Sequence, residues 1–155
     1  MVEIELCKTL RVLVAEAVKD FRVPVEHGEA RAPSVINGYL PPKRKGPGDD
    51  FPFVIVRPTS GNTEAGETTI SVAPVIGCYS ESCDGYEYCM NIMSRIRNAL
   101  CTLPGEVLAR KYQLDRPVEW SLSEDQPYPQ WQIDMTTNWK YRAPEYPFGL
   151  DIEEV

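Results

Sequence analysis

The sequence predicts an α+β domain: two amphipathic helices packed on one face of a mainly antiparallel or mixed sheet of about four to five strands, in the order α-β-β-α-β-β. Three observations carry this reading. The chain has 14 prolines, yet residues 1–23 and 75–103 contain none; a proline inside a helix costs about 3 kcal/mol, so these windows are where helices can form. Elsewhere apolar residues recur at every second position, most regularly in PQWQIDMTTNWKY (129–141), as in a half-buried strand. Finally, 43% hydrophobic and 25% charged residues in a chain of 155 suit one domain whose core needs neither disulfide nor metal.

The first helix is expected over about residues 2–20. Leu6, Leu10, Leu13 and Ala17, with Cys7, Val14 and Val18 alongside, recur at helical spacing, while Glu5, Lys8, Arg11, Glu16, Lys19 and Asp20 stay wet. It stops before Val23-Pro24, because a residue preceding proline is pushed out of the helical region. Residues 24–50, with Pro24, Pro33, Pro41, Pro42 and Pro47, read as a long, partly mobile excursion. It holds the tight-turn dipeptide Asn37-Gly38 and a basic cluster, Lys43-Arg44-Lys45, beside Asp49-Asp50.

Phe53–Val56 is a continuous apolar run, as in a strand covered on both faces. Thr68 to Cys78 alternates Ile70, Val72 and Ile76 with polar or small residues, Pro74 marking an edge or a bulge. The polar stretch TSGNTEAGE (59–67) is the loop that joins these two strands into a hairpin. Asp84-Gly-Tyr-Glu87 has the form of a capping box, and Tyr86, Cys89, Met93, Ile96 and Leu100 continue from it as the second helix, closed by Pro104-Gly105. Val118, Trp120 and Leu122 then alternate with Glu119 and Ser121. A turn through 124–129 leads into the strand 129–141, completing a second hairpin whose apolar faces share one surface. The domain thus spans residues 1–142, and 143–155 form an acidic tail with aromatic anchors, able to lie on a partner.

Chemistry is sparse. With 16 Lys and Arg against 23 Asp and Glu, a net charge of −7, the chain lacks the electrostatic term that supplies most non-specific affinity for nucleic acid, and sequence-specific DNA binding is not expected. No stretch approaches the roughly 20 apolar residues of a membrane helix. MVEIELCKTL carries acids where a signal peptide has a basic leader, so a cytosolic protein with no membrane partner is expected. The five cysteines include no CxxC pair and read as free thiols, mostly buried as small hydrophobes.

Cys78, Cys83 and Cys89 lie near Glu81, Asp84 and Glu87. They lack the compact thiolate pairs zinc prefers, and SESCDGYE misses the calcium-loop spacing. No metal or cofactor is expected. The single histidine, His27, could in principle pair with Cys83 as an activated nucleophile, although a solvated side chain is the plainer reading. GxSxG, GxxxxGK[ST] and GxGxxG are all missing, so an enzyme is not expected. What remains is work done by shape. Candidate interface residues are Lys43, Arg44 and Lys45 on the excursion, Tyr128, and the polar face of the last strand, Gln132, Asp134, Thr136 and Asn138.

Four runs carry a family resemblance: PFVIVRPTSG (52–61), TISVAPVIGCYS (69–80), DGYEYCMNIMSRIRNAL (84–100) and WSLSEDQPYPQWQIDMTTNWKY (120–141). Over residues 1–142 the layout resembles the tail terminator and minor tail protein U-like family of long-tailed bacteriophages. The resemblance implies a virion structural subunit that forms a ring, usually a hexamer, capping the finished tail tube and meeting the head-side connector. It implies no catalytic residue. Its partners would be its own copies, the tube protein and the connector, first in the host cytoplasm and then in the virion tail. A head–tail connector or neck protein is the neighbouring alternative, and a small cysteine-dependent enzyme or ligand-binding domain the alternative from another class.

Overall fold

The computed structural model describes residues 1–40 and 50–142. Two helices, α1 (Val2–Val18) and α2 (Tyr86–Cys101), accompany eight strands: β1 (Ser34–Asn37), β2 (Phe53–Val56), β3 (Pro58–Glu64), β4 (Glu67–Val72), β5 (Val75–Tyr79), β6 (Val107–Leu108), β7 (Tyr112–Ser121) and β8 (Gln130–Arg142). The class is α+β, as the sequence predicts. The strand count and order differ from the expected four to five strands in the order α-β-β-α-β-β.

Much of the difference comes from interruptions within long strands. β4 and β5 lie in one unbroken register along β8, with Val72 opposite Thr137 and Val75 opposite Asp134. Pro74 separates them because it has no N–H to donate; its carbonyl still accepts from the Met135 amide at 2.8 Å. Pro74 therefore sits inside the sheet, with β8 on one side and Arg57 on the other, where the Arg57 carbonyl accepts from the Ala73 amide at 3.1 Å. Pro74 thus marks neither the edge nor the bulge expected of it, since the register runs through it unbroken. β2 and β3 are likewise successive pieces of one run, parted at Arg57 opposite Ala73, and the register shift falls inside β3, between Pro58 and Ser60.

Two further corrections concern segments read as irregular. TSGNTEAGE is mostly strand: β3 pairs with β4 from Pro58 to Glu64, and the turn narrows to Ala65 (φ 47°) and Gly66 (φ 81°), the left-handed pair of a two-residue hairpin. The excursion also contains order. Val23 bridges Arg31, and β1 runs parallel to β2, placing Ser34 opposite Phe53 and Asn37 opposite Val56. The Asn37 amide donates to the Cys7 carbonyl of α1 (2.8 Å) and to the Val56 carbonyl (3.2 Å), fastening helix to sheet.

Both helices pack into one core. Leu6, Leu10, Val14 and Val18 of α1 and Cys89, Ile92, Met93, Ile96 and Leu100 of α2 meet Val54, Val56, Ile70, Val72, Ile76, Ile133, Met135 and Trp139 from the sheet. A smaller cluster, Phe51, Phe53, Ile55 and Val75, is separate from it. Because successive strand residues point to opposite faces, Phe53 and Ile55 face away from Val54 and Val56. β2 is thus buried on both sides, as its continuous apolar run implies. The expected capping box is absent: α2 begins at Tyr86 with Gly85 as its N-cap and no side-chain cap, the Asp84 carboxylate having taken the Ser82 hydroxyl as its partner.

Candidate functional site

β8 organises the surface as well as the core. Ile133, Met135, Thr137 and Trp139 are buried on its helix-facing side, while Gln132 and Asp134 are exposed and Thr136 and Asn138 half-buried on the other. The four predicted polar residues therefore share one face. Cross-strand partners extend it. Ser121 stands opposite Asp134, Glu119 opposite Thr136, Asp115 opposite Asn138 and Gln113 opposite Lys140 on one flank; Ser71 stands opposite Asn138 and Thr69 opposite Lys140 on the other.

The result is a hydroxyl and amide surface with an acidic bias. Asp115, Glu119 and Asp134 lie on it against Lys140, whose ammonium is 3.9 Å from Asp115. Two contacts hold side chains in place: Ser71 donates to Asn138 Oδ1 at 2.6 Å, and Gln132 Nε2 donates to Asp134 at 3.2 Å. Such a face suits hydrogen-bonded contact with another polar surface.

Of the other predicted residues, Tyr128 does not join this face. Tyr128 is exposed in the turn before β8, its hydroxyl donating to the Glu81 carbonyl at 2.6 Å and its ring edge-on to Trp131 at 6.2 Å; Trp131 points to the opposite side of β8 from Gln132. Lys43, Arg44 and Lys45 lie outside the described residues, as do 143–155. His27 is 81% exposed, with Glu26 at 3.8 Å, and no hydrogen bond or ion pair joins it to Cys83. Cys7, Cys78 and Cys89 are buried, Cys101 is half-buried and Cys83 is exposed. Among the described residues no three His, Cys, Asp or Glu side chains converge as a metal site, and no helix is long and apolar enough to cross a membrane.

No family model matches the chain, and no curated protein is significantly similar to it.

Two surfaces escaped the sequence reading. One is β3, every residue of which is exposed; it ends the sheet order, with β4 on one edge and no described strand on the other. Its polar composition hid it from any search for alternating apolar residues. The other is the outward side of α1. Met1, Ile4, Val12 and Leu13, together with Leu108 of β6, line an open groove of about 1020 Å³. Ile4 is 48% and Val12 62% exposed. Ile4 and Val12 stand on the side of the helix opposite Leu6, Leu10 and Val14, whereas Leu13 packs partly against the core, so a second apolar stripe was the available signal.

The inner end of this groove is pinned by a polar knot. Tyr112 is fully buried, and its hydroxyl donates to the Glu5 carboxylate at 2.5 Å while Lys111 donates to the same oxygen at 2.8 Å. The Lys111 and Tyr112 hydrogen bonds hold the Glu5 carboxyl below its usual range. Burial, with Glu5 beside it, pushes the Tyr112 phenol up. Burial also pushes the Cys7 thiol up to about 11, and the adjacent Cys89 with burial raises Cys78.

These shifts have one sign at high pH. Cys7, Cys78 and Tyr112 stay protonated in the fold at pH values where the unfolded chain ionises, from about 9 for thiols and 10 for phenols. Their stabilisation is therefore complete below pH 9 and lost as pH rises through the folded values. The urea midpoint, followed by tryptophan fluorescence under reducing conditions, is expected to hold from pH 7 to 8.5 and fall steadily from 9 to 11. In Cys7→Ala the fall is expected to be shallower. A midpoint flat to pH 11 contradicts the burial of these groups.

Proposed function

We propose that this chain is a virion structural subunit, a tail terminator or completion protein of a long-tailed bacteriophage. In this reading it self-assembles into a ring, most simply a hexamer, that caps the tail tube and meets the head-side connector. It acts by docking and transforms no molecule. The phage assignment rests on the resemblance carried by residues 52–61, 69–80, 84–100 and 120–141. The docking mode is supported by one structural observation above the rest, the outer edge of β3, which pairs with no strand among the described residues. Natural sheets blunt their edges with lysines, prolines, bulges or shortness. Pro58 and the register shift guard the start of β3, but Ser60 to Glu64 continues with Glu64 as its single charge. Such an edge suits strand addition from a neighbour. A head-to-tail interface of this kind closes into a ring when its rotation permits, and the acidic bias around β8 agrees with a passage that DNA traverses without being held.

Light scattering and electron microscopy of the purified protein, alone and with tail tubes, test the reading. Rings, or density at tube ends, are expected; a monomer at high concentration that ignores tube ends overturns it. Binding to portal-side proteins in place of tubes makes the protein a neck component. Ser60→Lys with Asn62→Lys is expected to abolish assembly while changing folding stability by less than about 0.5 kcal/mol, the usual range for exposed sites.

A further inference from the structure

The groove on α1 leaves Ile4 and Val12 exposed. We propose that residues 143–155 dock into it, Tyr146, Phe148, Leu150 and Ile152 covering the outward stripe of α1. Four observations support this, and none depends on the ring.

The first is where the described chain ends. Tyr141 and Arg142 close β8, and the Tyr141 ring lies 5.7 Å from that of Tyr112, whose hydroxyl touches Glu5 in the groove wall. The segment therefore departs beside the groove. The second is reach. Thirteen further residues span up to about 43 Å when extended, whereas the 17 residues of α1 rise about 25 Å, so Phe148 and Leu150 are within reach of Val12.

The third is pattern. Tyr146, Phe148, Leu150 and Ile152 alternate with Pro147, Gly149, Asp151 and Glu153, so an extended segment presents one apolar and one largely polar side. The fourth is charge. Of the charged residues lining the groove, Glu5 is paired with Lys111 and Glu16 with Lys19, while Lys8 has no ion pair among the described residues. The neighbouring Arg11 has none either. These two cations are left to meet Asp151, Glu153 and Glu154. Tethering makes the association intramolecular, with an effective concentration near the millimolar range, so a weak contact suffices to keep the stripe covered.

The test uses the full chain with Val12→Cys in a Cys83→Ser, Cys101→Ser background and measures the rate of maleimide labelling at position 12. Adding Phe148→Asp and Leu150→Asp is expected to speed labelling about fivefold or more, and adding Lys8→Glu about twofold, with circular dichroism unchanged. The same acceleration at every protein concentration places the segment on its own molecule, as proposed; an effect growing with concentration places it on a neighbouring copy and overturns the same-chain docking. Equal rates with and without the aspartates overturn it. So does slow labelling that the aspartates leave untouched, since a second α1 or another partner then covers the stripe.

Discussion

Replacing Trp139 by alanine is expected to remove about 3–5 kcal/mol of stability, the range for truncating a large buried aromatic, against a typical total of about 5–15. Trp139 is completely buried. It sits in the middle of three strands, with Ile70 of β4 directly opposite on one side and Leu114 of β7 on the other. A void there cannot collapse without bending the longest strand. Its indole N–H also donates to Thr137 Oγ1 at 2.9 Å, and the Thr137 hydroxyl donates onward to the Val72 carbonyl at 2.8 Å. Trp139→Phe keeps most of the packing and loses that hydrogen bond, a cost of about 1 kcal/mol. Urea unfolding followed by circular dichroism separates the variants. A cost below 1 kcal/mol for the alanine variant would refute the placement of this face of β8 in the core.

Substituting valine for Gly77 is expected to cost about 2–3 kcal/mol, the upper part of the range for overpacking. Gly77 stands opposite Phe53 in the β2–β5 pair, and the Phe53 ring lies across it. A β-carbon at this position would come within 2.3 Å of Phe53 Cζ and 2.9 Å of Phe51 Cε2. The two rings are themselves in contact, their centroids 4.9 Å apart, so neither can swing aside alone. The decisive measurement is a double-mutant cycle. Phe53→Ala empties the space the valine needs, and the double variant is expected to fall short of the summed single costs by about 1–2 kcal/mol, as for residues in direct contact. Strict additivity would mean that the ring does not rest on the glycine.

Both helices were legible from Leu6, Leu10 and Val14 and from Cys89, Met93 and Ile96, because a buried stripe at helical spacing needs no knowledge of its partner. The polar side of β8 was legible for the same reason, from Gln132, Asp134, Thr136 and Asn138 alternating with buried residues. β3 was not, since both its faces are wet and alternation has nothing to mark. β1 was hidden among prolines. Its four residues gain their order from parallel pairing with β2 and from the Asn37 bonds to α1, contacts with residues far along the chain. The capping box failed because the nearby Ser82 hydroxyl competed for the Asp84 carboxylate.

Local chemistry alone settled the α+β class, the two helices, the apolar runs of the central strands and the acidic character of the chain, since each follows from residue type and spacing within a dozen positions. Tertiary structure decided how many strands the described residues form, that Pro74 lies inside the sheet, that β3 ends it with no described strand on its outer edge, and that α1 carries a second apolar side turned away from the core. Those outcomes depend on which distant segments share hydrogen bonds and buried area, and pairing of that kind leaves no periodic trace in either partner.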